Sequence, residues 1–176
     1  MQSAHSSKEQ RLSSPSPEAL ATWRVFFECA LALPDILDAE LQAAGKLSFR
    51  WYDVLVQLED AEAGMPMTEL ANRILASKSG LTRVIDRMEE AGLVRRERPR
   101  EDRRVVRVVV TPAGLDALRD ARVVHRDGIR RHFAEHLDAE DLERLRGMLQ
   151  KVREHVRPLR PGRVSAEPRR PSTPWR

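Results

Sequence analysis

The stretch SKSGLTRVIDRMEEAGLVRRERPREDRRVVRVVVTPAG, residues 77–114, decides how this chain is read. It opens on the hydroxyls of Ser77 and Ser79 and enters a segment where Leu81, Val84, Ile85 and Met88 recur at helical spacing. Ser77 stands where an N-cap belongs, and Gly92 where a helix ends in a left-handed residue. Beyond Gly92 the apolar period drops to two. LVRRER and RVVRVVV read as strands on either side of the charged tip PRED. Thr111 and Pro112 then supply an N-cap and a proline at the first helical position, so a new helix begins there.

Outward from this stretch the pattern is helical. Upstream, MTELANRIL at residues 67–75 predicts a short helix that buries Leu70, Ala71 and Ile74. Ser48 caps a helix to about Asp60, with Trp51, Val54, Leu55 and Leu58 inward. A long first helix follows Ser16 and Pro17 and closes at Gly45. Its inward stripe is Trp23, Phe27, Ala30, Leu37 and Leu41, and Pro34 predicts a kink or a break after Leu33. Downstream, the helix from Pro112 is expected to reach about His136, and Asp138 with Asp141 opens the last one. The first sixteen residues and the last twenty, rich in Ser, Pro and Arg, read as disordered tails. The fold class is therefore mainly α with a small β-hairpin wing. Residues 17–156 form the domain: a winged helix-turn-helix over about 48–111, flanked by helices at 17–45 and 112–156.

The charge is unevenly distributed. The formal net charge is +4, yet residues 17–76 carry −6, residues 77–107 carry +4 and residues 108–156 balance. A basic patch on a near-neutral body points to a polyanion met at one face. Two short helices with a tight turn at residues 76–78, followed by a hairpin, have the order of a winged helix-turn-helix. Its second helix would offer Ser77, Lys78, Ser79, Thr82, Arg83 and Arg87 to base edges in the major groove of double-stranded DNA. The hairpin would carry Arg98, Arg100, Arg103 and Arg104 to phosphates or a narrow minor groove.

MTELANRILASKSGLTRVIDRMEEAGLVRRERPREDRRVVRVVVTPAG resembles the winged helix-turn-helix of the multiple-antibiotic-resistance regulator (MarR) family. LTRVIDRMEEAGLVRR and EDRRVVRVVVTPAG are its most specific pieces, and the order of elements agrees over roughly residues 17–156. The resemblance implies that Arg104 enters the minor groove while Asp102 braces the wing. It also implies a homodimer joined through the first, fifth and sixth helices. The chain departs from the family at Pro66, where a capping hydroxyl is usual. Independently of the resemblance, Leu142, Leu145, Leu149, Val152 and Val156 repeat at 3 and 4, the seam of a helix packed on another. A two-fold dimer would read a palindromic operator with half-sites roughly 10 bp apart. Trp23, Phe27, Trp51 and Tyr52 have two readings: the lining of a cavity between the first two helices and the fifth, where the family resemblance implies a small aromatic or lipophilic effector, or plain core.

Other constellations carry less. No glycine-rich phosphate loop or nucleophile triad is present, so an enzyme is not expected, and the pattern calls for no cofactor. His125, His132 and His136 would share one face of the fifth helix. A metal site is one reading and a semi-buried packing face the better one. Cys29 excludes an internal disulfide and suits a reducing cytoplasm. It reads as a small buried residue rather than a peroxide sensor, since the family's reactive cysteine would fall near Arg24. The six arginines of residues 157–176 would add non-specific phosphate attraction, or form a solvated extension. No run of 18 apolar residues and no apolar signal core is present, so a cytoplasmic location without membrane contact is expected. The leading reading is a dimeric repressor released from its operator by a small effector. The alternatives are a non-specific architectural DNA-binding protein, a redox- or metal-responsive regulator of the same fold, and an interaction module that binds no DNA.

Overall fold

The computed structural model describes residues 14–74, 78–99 and 104–159, with Lys78 and Ser79 described by backbone alone. The expected tails, residues 1–16 and 157–176, lie outside it except for 14–16 and 157–159. The elements are α1 (Pro17–Ala43), α2 (Phe49–Leu58), β1 (Met65–Pro66), α3 (Met67–Arg73), α4 (Lys78–Glu90), β2 (Val94–Glu97), β3 (Arg107–Val110), α5 (Pro112–His132) and α6 (Ala139–Leu159). A single 3-10 turn, Ala134–His136, separates the last two. The chain divides into two compact units, one through Ile36 and the other from Leu37 onward.

The first unit is helical from Pro17, where the Ser16 hydroxyl accepts the Ala19 amide at 3.2 Å. Here three expectations are met only in part or not at all. Of the kink or break expected at Pro34 the break is absent, since Pro34 lies inside α1; its missing amide costs the helix one hydrogen bond. The apolar stripe is also not uniformly buried. Leu37 and Leu41, in the second unit, are buried, whereas Trp23 is 58% and Phe27 48% exposed, stacked on each other with ring centroids 5.5 Å apart. Cys29, expected to be buried, is exposed as well.

The second unit is built around Leu41, Val54, Leu55, Leu58, Leu70, Leu81, Ile85, Met88, Val108 and Leu118, all within 1% of complete burial. Val54, Leu55, Leu58, Leu70, Leu81, Ile85 and Met88 are among the inward positions that helical spacing predicts for α2, α3 and α4, whereas Trp51, Ile74 and Val84 are half-buried. Ser48 caps α2 by accepting the Trp51 amide, and the Asp38 carboxylate accepts the Phe49 amide at 2.6 Å. Thr111 caps α5 by accepting the Gly114 amide at 3.0 Å, with Pro112 next in the helix.

The sheet is antiparallel with order β1-β3-β2, one strand more than the expected hairpin. β2 pairs with β3 from Val94 opposite Val110 to Glu97 opposite Arg107, while β1 adds Met65 opposite Val108. Gly64, at φ 71°, makes the entry to β1 possible. A Cβ there would lie 2.6 Å from a Val109 methyl and 2.9 Å from the Val108 carbonyl. Pro66 precedes α3 with no side-chain cap, as its lack of a hydroxyl requires; instead the Met67 amide reaches the Val106 carbonyl at 3.1 Å.

α5 stops at His132, four residues short of the expected end, so His136 falls in the 3-10 turn and off the helical face. α6 opens with the Asp138 carboxylate accepting the Asp141 amide at 2.8 Å. It runs to Leu159, three residues into the expected tail, and contains no buried residue.

Candidate nucleic-acid interface

α4 is sorted by its own periodicity. Leu81, Ile85 and Met88 face the core, and Thr82, Arg83, Asp86 and Arg87 stand exposed on the opposite side. Lys78 and Ser79 occupy the first turn of this helix, and Ser77 lies outside the described residues. A helix of this kind carries a row of donors and cations on a rigid rod, the arrangement that suits a major groove about 12 Å wide.

The wing rises from the same core. Val94 and Val108 are buried beneath it, while Arg98 at the end of β2 and Arg104 before β3 are exposed. Asp102 and Arg103 lie outside the described residues. Between α4 and the wing runs an open groove of about 570 Å³, edged by Thr82, Asp86, Arg96, Arg98 and Arg104. The predicted helix side chains Thr82 and Arg83 thus stand on α4, and the wing arginines Arg98 and Arg104 flank the adjoining sheet.

Not every arginine of the basic stretch is available to a polyanion. Arg95 pairs with Glu97. Arg107 donates to the Gly64 carbonyl at 3.1 Å and so fastens the turn before β1. Arg96 is the most committed. Its guanidinium donates to Asp86 Oδ1 and to Glu89 Oε2, each at 2.6 Å, and reaches the Thr82 carbonyl at 3.4 Å. The second Glu89 oxygen accepts the Arg96 backbone amide at 2.7 Å. Partial burial works against the charge on Arg96, but the hydrogen bonds it donates to Asp86 and Glu89 outweigh that and raise its pKa. In the sequence alone Arg96 is one more positive charge in a basic run. The signal for more is the spacing of Asp86 and Glu89, which puts two carboxylates side by side on α4.

The histidines do not converge. His125 is buried between α2 and α5, its ring 4.2 Å from that of Tyr52 and 5.7 Å from that of Phe49. Burial lowers its pKa, disfavouring the charged imidazolium. His132 points instead to Glu40 Oε1 at 2.7 Å, and Arg131 shares that oxygen at 2.9 Å. Among the described residues no cluster of three His, Cys, Asp or Glu side chains is placed to hold a metal ion. Of the aromatics expected around an effector, Trp51 is half-buried and Tyr52 buried in the second unit, and Trp23 and Phe27 are exposed in the first. The Tyr52 hydroxyl has its pKa raised by burial, an effect that Arg122 only partly opposes.

The expected seam of α6 is only partly covered by the described residues. Leu142 and Leu145 are half-buried, and Leu149, Val152 and Val156 are exposed. No helix among the described residues is long and apolar enough to cross a membrane.

Known proteins share this architecture. The profile of the MarR family matches residues 46–105, from the approach to α2 through the wing. The chain is 36% identical to AbsC of Streptomyces coelicolor, a MarR family transcriptional regulator, with a TM-score of 0.76 over 82% of this chain and 98% of that one. It is 30% identical to Sco3205 of the same organism, whose structure is a complex with DNA, with a TM-score of 0.76 over 81% of this chain and 90% of that one. The transcriptional repressor IacR of Pseudomonas putida is 31% identical over 103 residues, 58% of this chain and 60% of that protein's length. A core that presents α4 and a wing side by side, and relatives that share it over most of their length, lead to one conclusion: the chain belongs to the MarR family of transcriptional regulators.

Proposed function

We propose that the protein is a sequence-specific repressor that binds a palindromic operator as a homodimer and releases it on meeting a small aromatic or lipophilic effector. The observation that carries this reading is the exposed row of Thr82, Arg83 and Arg87 on α4, backed by the buried Leu81, Ile85 and Met88 and flanked by Arg98 and Arg104. In this reading Ser77, Lys78, Ser79, Thr82, Arg83 and Arg87 meet base edges and nearby phosphates in the major groove. Arg98, Arg103 and Arg104 take phosphates and the minor groove, with Asp102 supporting the wing tip. The DNA complex formed by Sco3205 supports the DNA partner, and the repressor IacR supports the direction of regulation.

Dimerisation is supported by α6. A helix of 21 residues with no buried side chain and an apolar row at heptad spacing gains little from its own chain. A second copy laid on Leu142, Leu145, Leu149 and Val152 would remove that row from water. The exposed Leu20, Trp23 and Phe27 of α1 have the same need. The helices of residues 17–45 and 112–156 are accordingly the dimerisation region, and the cytoplasm, where the chromosome is accessible, the place of action. The deciding experiment is selection of bound sequences from random duplex DNA by the purified full chain. A two-fold symmetric consensus is expected, with half-sites about one helical turn apart. Recovery of random sequence would instead favour an architectural DNA-binding protein.

A further inference from the structure

Arg96 lies in the middle of the basic segment, yet its charge is spent inward. It leaves β2, crosses the groove and closes on α4 through two carboxylates and one main-chain carbonyl, while Glu89 grips the Arg96 amide from the other side. The contact is planar and forked, which a guanidinium provides and an ammonium does not. It is also shared between the helix that would read bases and the strand that carries the wing. Resting on the DNA-binding reading above, we infer that Arg96 is a positioning residue. It sets the offset between α4 and the wing, so that helix-read and wing-read base pairs are recognised at one fixed separation. A second effect follows from the same contacts: the charge of Asp86 and Glu89, which would repel phosphates from α4, is half offset where DNA approaches.

A phosphate-binding role for Arg96 makes opposite predictions. If Arg96 bound DNA directly, removing it would make the salt dependence of binding shallower by about 0.9 in log–log slope per chain. Removing the acidic partners would then free the arginine and tighten binding. If Arg96 positions the wing, Asp86→Asn combined with Glu89→Gln should do the same damage as Arg96→Met, although one change removes negative charge and the other positive. Arg96→Lys keeps the charge and loses the fork, and should do similar damage.

The test uses the full-length protein and a panel of selected operators in which one base pair is inserted, in each half-site, between the positions read centrally and those read at the flanks. The parent protein should lose on the order of 10-fold or more in affinity on insertion, the size of one or more lost base contacts. In Arg96→Lys, Arg96→Met and the Asp86→Asn/Glu89→Gln pair, that penalty should shrink to within about 3-fold. Preference at the central bases should persist, since α4 itself is intact. Loss of affinity with the full insertion penalty and a shallower salt slope would overturn the inference and make Arg96 a phosphate contact. An unchanged penalty in Arg96→Lys and the carboxylate variant, both conservative in size, would overturn it even if Arg96→Met failed to fold. Failure of the parent protein to select any operator would remove the reading on which the inference rests, an outcome distinct from either of these.

Discussion

Gly114 gives the sharpest test of how the wing is joined to α5. It occupies the first turn of that helix, and a Cβ built on it would lie 2.2 Å from the carbonyl oxygen of Leu93 and 3.0 Å from a Val110 methyl. Ordinary contact begins near 3.4 Å, so Gly114→Ala requires a backbone oxygen to retreat by more than 1 Å. That oxygen accepts both the Thr111 amide at 3.0 Å and the Thr111 hydroxyl at 3.1 Å. Overpacking of this kind costs about 1–3 kcal/mol, and each weakened hydrogen bond about 1 kcal/mol more. The better helix propensity of alanine returns about 1 kcal/mol. The expected loss is about 3 kcal/mol, which for a chain of this size lowers the melting temperature by about 6–12 °C. Thermal unfolding should be followed by far-ultraviolet circular dichroism at one fixed chain concentration, because association shifts the midpoint. Gly147→Ala is the control: Gly147 is helical, with nothing within 4 Å of an added methyl, so that change should raise the midpoint by about 2–4 °C. A Gly114→Ala midpoint within about 2 °C of the parent would refute the close approach of α5 to Leu93.

Four further outcomes are expected. Arg83→Ala should reduce discrimination between operator and mismatched duplex by roughly 1–3 kcal/mol in competition binding, whereas an equal loss on random DNA would make Arg83 a phosphate contact. Arg104→Ala should lower affinity and make the salt slope shallower by about 0.9 for each wing that touches DNA; an unchanged slope at unchanged affinity removes Arg104 from the interface. Leu145→Asp with Leu149→Asp should yield monomers in analytical ultracentrifugation, because the seam would bury unpaired charge, and a persistent dimer would exclude that seam. His125 has its folded-state pKa below the ordinary value of 6.5, so its contribution is full above that pH and is lost as pH falls from there through the folded value. Urea unfolding should show stability dropping below pH 6.5 by at most about 1.4 kcal/mol per pH unit for each chain, and His125→Phe should flatten that dependence.

Local chemistry explains what could be read in advance. Ser48, Thr111 and Asp138 act through their own neighbours, so caps and helix starts follow directly from the residues. The buried face of α4 follows from the spacing of Leu81, Ile85 and Met88 for the same reason. What escaped depends on partners distant in sequence. β1 is two residues, one of them proline, and becomes a strand only because β3 lies beside it. The partnership of Arg96 with Asp86 and Glu89 spans seven to ten positions and needs the hairpin to fold back onto the helix. The histidine face dissolved because α5 ends at His132, while His125 and His132 find separate partners in Tyr52 and Glu40. The apolar side chains of α1 and α6 follow their predicted periodicity, but periodicity alone does not say whether the covering surface belongs to the same chain.

The ordering of the small sheet has a consequence for solubility. A three-stranded sheet has two open edges, and an open edge is a template on which a strand from another molecule can grow. One edge here is β1, where Pro66 has no amide to donate and the strand ends after two residues. The other is β2, whose sequence VRRE puts three charged side chains in succession along the rim. Neither rim offers a long, uncharged run of donors and acceptors. Many copies crowded along DNA can therefore keep their wings raised without adding strand to strand, and the projecting hairpin does not become a seed for aggregation.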